Sequence, residues 1–156
     1  MPYKQLQSEF SIMSSFEVLL IEDDAADIDL TREALLDSKL RVCLNAVRSG
    51  AEALAYLHQV HPFEAASLPD LILLDLNLPG MSGKEILQAI RSEQGICHIP
   101  VAVLTTSQAQ QDIDDSYKLG ANCYVSKPVG LDEFSQVIHA LEEFWFTIVK
   151  IPPRKL

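Results

Sequence analysis

Short apolar runs alternate five times along this chain with longer segments that have helical periodicity. The runs predict strands at about 17–22, 42–47, 71–75, 100–105 and 121–126. Between and after them, apolar residues recur three or four positions apart, as on the buried face of a helix, at 25–37, 51–60, 84–93, 107–119 and 131–149. Such alternation is typical of βαβ units. The pattern therefore predicts an α/β fold with a five-stranded parallel sheet and helices on both faces.

The last predicted helix carries more apolar residues than one buried face needs. At 100° per residue, one stripe contains Phe134, Ile138, Leu141, Trp145 and Ile148. Outside that stripe, or beyond the helix, lie Phe144, Phe146, Val149 and Ile151. Because exposed apolar patches usually mark interfaces, we expect these four residues to contribute to a homodimer. The competing interpretation is that residues 1–15 fold back and cover the patch in a monomer.

Length and composition indicate one domain with a full core. The chain has 156 residues, of which 48% are apolar and 22% charged. We divide it into an N-terminal extension (1–15), a domain (16–150) and a tail (151–156). The net charge of −10 argues against a nucleic-acid partner, since phosphate binding needs clustered Lys and Arg. No apolar run approaches the roughly 18 residues of a membrane span, and residues 1–15 lack a signal core, which favours the cytoplasm.

Polar side chains follow four of the predicted strands directly. Glu22 and Asp23 follow the first strand, Asp75 ends the third, Thr105 the fourth, and Lys127 follows the fifth. Because the carboxyl ends of parallel strands meet at one edge of a sheet, we expect these groups to form one cluster. Oxygen ligands of this kind suit Mg²⁺, which lets an anionic phosphate approach a carboxylate. Asp24 is better placed to cap the following helix than to bind metal.

The joint order of acidic pair, Asp, Thr and Lys-Pro after strands one, three, four and five resembles the receiver domain of response regulators. The segment Leu74-Asp75-Leu76-Asn77-Leu78-Pro79 and the ending Phe144-Trp145-Phe146 are similar to those of small single-domain response regulators that serve cyanobacterial phytochromes. The resemblance spans about 16–150 and implies a flavodoxin-like receiver fold. It also implies a sensor histidine kinase, here a phytochrome, as the phosphoryl donor in a two-component phosphorelay.

Site residues follow from the same resemblance. Asp75 would be the phosphoacceptor, and Glu22, Asp23, Asp75 and the backbone carbonyl of Asn77 would hold Mg²⁺, with Mn²⁺ able to substitute. Thr105 would be the switch hydroxyl, Tyr124 the aromatic that reorients, and Lys127 the contact to the phosphoryl group. The Lys127–Pro128 bond would be cis. Output would come through protein–protein contact, and catalysis would be limited to the protein's own phosphoryl transfer and dephosphorylation.

Three alternatives compete with this interpretation. A haloacid-dehalogenase-type phosphatase also uses a nucleophilic Asp, but it needs a second Asp two residues later and places the nucleophile after the first strand. Here that position is Asn77, and Asp75 follows the third strand. A nucleotide-binding domain is disfavoured because neither glycine-rich phosphate motif is present. A structural dimerisation module, phosphorylated only incidentally, stays open at this stage.

Overall fold

The computed structural model describes residues 15–153 and contains one sheet of five parallel strands. The strands are β1 (Phe16–Ile21), β2 (Val42–Val47), β3 (Leu71–Leu74), β4 (Val101–Thr105) and β5 (Cys123–Ser126). The helices in this part of the chain are α1 (Ala25–Leu36), α2 (Gly50–Leu57), α3 (Gly83–Ser92), α4 (Gln110–Lys118) and α5 (Leu131–Glu143). The spatial order of strands is β2-β1-β3-β4-β5. The predicted fold class is therefore confirmed.

The strand residues alternate between two apolar cores, one on each face of the sheet. Leu19 and Ile21 face a core that α2 and α3 cover with Tyr56, Ile86 and other apolar side chains. Their neighbours Val18 and Leu20 face the opposite core, to which α1 and α5 contribute. This two-residue period follows from the pleat of a strand. Burial on both faces explains why the central strands are apolar throughout.

The starts of α1 and α3 are fixed by local capping side chains. The Asp24 carboxylate accepts a hydrogen bond from the backbone N–H of Asp27 at 3.0 Å, so Asp24 caps α1 as predicted. Ser82 and Glu85 form a reciprocal capping box at the start of α3. These caps satisfy backbone donors that the first helical turn leaves without partners.

The end of the last helix differs from the prediction of one α-helix over 131–149. After α5 the chain forms a single π-helical turn, Phe144–Ile148, in which the N–H of Val149 reaches the carbonyl of Phe144 at 3.0 Å. This wider turn holds one extra residue, so the stripe extrapolated at 100° per residue no longer applies. Ile148 is 64% exposed rather than buried, while Trp145 is buried. Even with this turn, no helix within residues 15–153 combines the length and apolar character that crossing a membrane requires.

The extra residue also changes which of the expected interface residues are exposed. Phe146 is half-buried and stacks on Phe16, with ring centroids 4.1 Å apart, and Val149 and Ile151 pack against the same core. These three are therefore not the free apolar surface that the helical extrapolation predicted. Phe144 does project outward and is 45% exposed. The suggested cover from residues 1–15 lies outside the described residues, apart from Ser15.

Arg91, near the end of α3, joins three backbone segments. Its guanidinium donates to the carbonyl oxygens of Gly120 at 2.9 Å, Cys97 at 2.9 Å and Ile99 at 2.8 Å. It also donates to the Asn122 side chain at 2.8 Å. Burial lowers the pKa of Arg91, but an arginine stays protonated in proteins. One side chain thus connects α3 to both chain segments that lead into β4 and β5.

Helix α4 contributes little to either core. Ser116 is its buried residue, and that hydroxyl donates to the Asp112 carbonyl of the same helix. The helix is held to α3 by the Lys84 ammonium, which lies 2.7 Å from Asp112 and 2.9 Å from Asp115. Gly120 has φ +102° just after α4, a conformation that favours glycine, and it ends the helix as predicted.

Candidate functional site

The sheet brings the predicted site residues to one edge. β1, β3, β4 and β5 are consecutive in the sheet, and Ile21 pairs in register with Leu74 at the ends of β1 and β3. Glu22 follows Ile21 and Asp75 follows Leu74, so the two acidic residues lie side by side at the ends of these strands. Thr105 pairs with Ser126 at the ends of β4 and β5, which brings Lys127 to the same edge.

Three carboxylates form a cluster that fits a divalent cation. Glu22, Asp23 and Asp75 each place one oxygen within 4.8 Å of the others. Glu22 and Asp75 are buried, whereas Asp23 is half-buried. Mg²⁺ and Mn²⁺ both bind oxygen ligands, and Mg²⁺ typically takes one or two carboxylates together with waters. The donor set therefore suits a hard divalent metal that stays open to a phosphate oxygen.

The Lys127 ammonium lies against this cluster. It contacts the Glu22 carboxylate, lies 2.9 Å from Asp27 Oδ2 and lies 3.2 Å from Asp75 Oδ2. The Lys127 backbone N–H donates to the Thr105 carbonyl at 2.7 Å, which fixes the start of the loop after β5. The cation thus sits beside the Asp75 carboxylate.

Burial and neighbouring charges have opposite effects on the pKa values of Glu22 and Lys127. Burial raises the pKa of Glu22 to about 7, while hydrogen bonds from Lys127 and from the Asp24 backbone work against that rise. Burial disfavours the charged form of Lys127, but hydrogen bonds to Glu22 and Asp27 and the charge of Asp75 outweigh it and hold the pKa of Lys127 above its usual value. The ammonium is therefore charged at neutral pH. One positive charge among four carboxyl groups leaves a site that attracts a further cation.

Thr105 and Tyr124 lie near this edge and both contact Ser107. Thr105 is fully buried, and its hydroxyl oxygen accepts a 3.5 Å hydrogen bond from the Ser107 N–H. The Tyr124 side chain is half-buried, and its hydroxyl donates to the Ser107 carbonyl at 2.9 Å. The loop after β4 therefore connects the buried hydroxyl to the aromatic ring. Ser107 was not among the predicted site residues.

The loop after Asp75 is shaped by close backbone contact. The Asn77 N–H donates to Asp75 Oδ1 at 3.2 Å, which holds the carboxylate at the strand end. A Cβ on Gly83 would overlap the Asp75 carbonyl oxygen and lie 2.6 Å from the Leu76 Cα. Only glycine allows α3 to begin this close to the loop. Asn77 itself is exposed.

The conformation of the Lys127–Pro128 bond differs from the one that the resemblance implied. The resemblance implied a cis bond, but the cis bond found within residues 15–153 is His61–Pro62, and Lys127–Pro128 is trans. Trans is the ordinary preference of an X-Pro bond. Here the Lys127 side chain reaches Glu22 and Asp75 with the trans bond, so a cis bond is not needed to direct it inward.

Asp27 is the site residue that the sequence interpretation missed. It lies in the first turn of α1, is half-buried, and its carboxylate contacts Lys127 directly. A signal was present, because the first turn of a helix that follows β1 so closely must stay near the carboxyl edge. Assigning its contact to Lys127 still required the geometry of both side chains.

Comparison with known proteins identifies the family of this chain. A family model of the response regulator receiver domain matches residues 18–139. The response regulator Rcp1 of Synechocystis sp. (strain ATCC 27184 / PCC 6803 / Kazusa) is 40% identical over 135 residues, which cover 86% of this chain and 92% of Rcp1.

Solved structures of response regulators also resemble this chain. The phosphorylated cyanobacterial phytochrome response regulator RcpA matches with a TM-score of 0.86 and 44% identity, over 90% of this chain and 100% of RcpA. The Mn²⁺-bound form of Rcp1 matches with a TM-score of 0.84 and 39% identity, over 88% of this chain and 99% of Rcp1. The chain therefore belongs to the response regulator receiver domain family, within which it is similar to response regulators of cyanobacterial phytochromes.

Proposed function

We propose that this protein is a cytoplasmic response regulator that accepts a phosphoryl group on Asp75 from a sensor histidine kinase, and that the kinase is a phytochrome. The observation that carries the proposal is the position of the Asp75 carboxylate. It lies in a three-carboxylate cluster suited to a divalent metal and 3.2 Å from the Lys127 ammonium. The choice of kinase is supported by the similarity to RcpA, which is described as a cyanobacterial phytochrome response regulator.

In the proposed reaction, an Asp75 carboxylate oxygen forms a bond to phosphorus while the bond from phosphorus to the donor imidazole nitrogen breaks. The electron pair of that bond leaves with the imidazole. Lys127 offsets the negative charge that gathers on the phosphoryl oxygens. Mg²⁺ or Mn²⁺, held by Glu22, Asp23, Asp75 and the Asn77 carbonyl, would neutralise the repulsion between the two anions. The protein's own catalysis is limited to this transfer and to hydrolysis of the product.

The output step follows from the hydrogen bonds of the loop after β4. A phosphoryl group on Asp75 presents acceptor oxygens to the Thr105 hydroxyl. Because the Ser107 N–H and carbonyl are bonded to Thr105 and Tyr124, a displacement of Thr105 changes the position of the Tyr124 ring. We propose that this alters the face formed by α4, β5 and α5, which a protein partner reads.

The test is phosphorylation by acetyl phosphate with Mg²⁺, followed by intact-mass measurement. The wild type is expected to gain one phosphoryl mass, and Asp75→Asn to gain none. Asp24→Asn is the matched control, because Asn caps a helix as well as Asp and the residue lies outside the metal cluster.

Two results would contradict the assignment. One is a phosphoryl mass on Asp75→Asn at a rate similar to the wild type. The other is unchanged labelling in excess EDTA, since the acidic cluster would then accept a phosphate without a cation. The phytochrome partner is tested separately, by phosphoryl transfer from a phytochrome kinase compared with an unrelated histidine kinase.

We further propose a homodimer that uses the exposed end of the last helix. Phe144 is 45% exposed and Ile148 64% exposed, which leaves apolar side chains at the surface. Sedimentation at tens of micromolar should show a dimer, and Ile148→Glu should shift it to monomer without unfolding the protein. A monomeric wild type at that concentration would contradict the proposal. Phe146 is unsuitable for this test because it packs on Phe16.

A further inference from the structure

A cavity of about 390 Å³ lies beside the start of β1 and along the edge strand β2. Glu17 and Asn45 line it from the strands, and Tyr56 of α2 and Phe63 of the following loop line it from the other side. Glu17 is at the opposite end of β1 from Glu22, so the cavity is separate from the acidic cluster. Its volume is within the range of cavities that bind small molecules.

The sheet presents polar side chains to this cavity at positions that elsewhere hold the apolar core. Glu17 shares a face of β1 with Leu19 and Ile21, because side chains two residues apart in a strand point to the same face. Asn45 shares a face of β2 with Val47 in the same way. Leu19, Ile21 and Val47 are all buried in one core. A purely structural role would continue that apolar series, so the two polar residues indicate a polar function here.

The Tyr56 hydroxyl is a second observation that points to a ligand. Tyr56 is only 5% exposed, yet its hydroxyl has no hydrogen-bond partner within residues 15–153. Burial, and then the neighbouring acidic groups of Glu17 and Cys43, raise the pKa of Tyr56 to about 12. The phenol therefore keeps its proton at neutral pH and lies close to two residues that line the cavity. Because a buried hydroxyl normally has a partner, this one is placed to contact a bound molecule.

The charge and shape of the lining favour a flat cation. Glu17 contributes a carboxylate, and the described residues that line the cavity include neither Lys nor Arg. The carboxylate accepts a 3.5 Å hydrogen bond from Asn45 Nδ2, but its two oxygens offer about four acceptor positions in all. The rings of Tyr56 and Phe63 form an aromatic wall, with centroids 5.3 Å apart and planes tilted by 56°. Aromatic rings attract cations and pack against planar groups.

We propose that this cavity binds a small aromatic cation, a planar ring that carries an amidinium or ammonium group. The N–H groups of the cation donate to the Glu17 carboxylate and to the Tyr56 hydroxyl oxygen, and the ring lies against Phe63. Hydrogen bonds from a cation to a carboxylate are charge-assisted and therefore strong. An aromatic anion of the same size meets the same carboxylate and is repelled by it. The site does not require phosphorylation of Asp75.

The experiment titrates benzamidine into the isotope-labelled full chain at neutral pH and follows the amide chemical shifts. Saturable shifts with a dissociation constant of about 1 mM or below are expected for a probe of this size. The largest shifts should fall at the start of β1, on β2 and in the loop at 62–67. Benzoate has nearly the same shape and the opposite charge, so it should give no saturable shifts at these positions.

Three variants test the assigned contacts. Glu17→Gln should weaken benzamidine binding at least about tenfold, because charge-assisted hydrogen bonds are lost. Tyr56→Phe keeps the ring and should weaken binding about three- to tenfold, the effect of one hydrogen bond. Glu64→Gln is the matched control, because Glu64 is exposed in the same loop and loses the same charge without lining the cavity. It should leave the affinity unchanged.

The inference would be overturned if benzamidine gave no saturable shifts up to about 10 mM, if the shifts centred elsewhere, or if benzoate bound equally well. Unchanged affinity in Glu17→Gln, or an equal loss in Glu64→Gln, would overturn it too. If a variant does not fold, the location of the wild-type shifts and the comparison with benzoate still decide. None of these measurements involves phosphorylation, so this inference and the proposed function fail independently.

Discussion

Arg91 offers a direct test of how the domain is held together on the side away from the acidic cluster. The substitution is Arg91→Met, which keeps an unbranched apolar stem and removes the guanidinium. Four hydrogen bonds are lost, three of them to backbone carbonyl oxygens. The fourth acceptor, Asn122 Oδ1, still receives the Val101 N–H at 2.8 Å and so keeps one partner.

The expected loss in the free energy of unfolding is estimated from the three carbonyl oxygens that lose a hydrogen-bond donor. A polar group left without its partner costs about 1–3 kcal/mol, and the lower end applies because Arg91 is only half-buried and water can reach the site. Three such groups give a loss of about 3 kcal/mol in the free energy of unfolding. Arg91→Lys should lose about half of that, because an ammonium provides three donors but not the planar geometry that reaches separate segments.

Urea unfolding followed by tryptophan fluorescence measures these losses, since Trp145 is the single tryptophan and is buried. Arg32→Met is the matched control, because Arg32 is exposed and makes one 3.4 Å contact to the Leu44 carbonyl. It should change the free energy of unfolding by less than about 0.5 kcal/mol. A loss below about 1 kcal/mol for Arg91→Met, or an equal loss for Arg32→Met, would refute the reasoning.

Three further outcomes are expected. Gly83→Ala should slow phosphorylation and lower the free energy of unfolding by about 1–3 kcal/mol, because its Cβ meets backbone, whereas a Cβ at Gly95 meets nothing and Gly95→Ala should change neither. Asp23→Ala should weaken Mn²⁺ binding more than about tenfold in calorimetry, and Asp24→Ala should not. Burial raises the pKa of Glu142 above the ordinary value of 4.5, so stability is lost as the pH rises from 4.5 through the raised pKa. In urea titrations, the free energy of unfolding of Glu142→Gln should therefore increase relative to the wild type as the pH rises above 4.5.

The candidate site could be predicted because strand topology alone brings its members together. Glu22, Asp75 and Lys127 are far apart in sequence, yet each follows a strand, and parallel strands end at one edge. The Asp24 cap was equally predictable, since it depends on a residue and its neighbours three positions on. The roles assigned to these residues in phosphorylation stay predictions until the mass measurement is made.

The predictions that were wrong or incomplete concern geometry that a sequence pattern does not encode. The exposure of Ile148 was missed because one extra residue in the turn after Glu143 rotates everything that follows. The cis bond before Pro128 was wrong because the isomer depends on its surroundings. Asp27 was missed because its contact with Lys127 depends on two side-chain conformations, one from each end of the chain.

Helix α4 has a consequence for how easily the domain can respond. Displacing this helix would uncover little apolar area, because Ser116 is its fully buried residue and its apolar Ile113 is only half-buried. It would also break two ion pairs from Lys84 that water can replace. Its amides should therefore exchange with solvent sooner than those of α3, whose Ile86, Leu87 and Ile90 are fully buried. A helix that carries so little of the core can change position while the sheet and its two apolar layers stay intact. Sensitivity to a signal and resistance to unfolding then depend on different residues, and either can be altered by mutation without loss of the other.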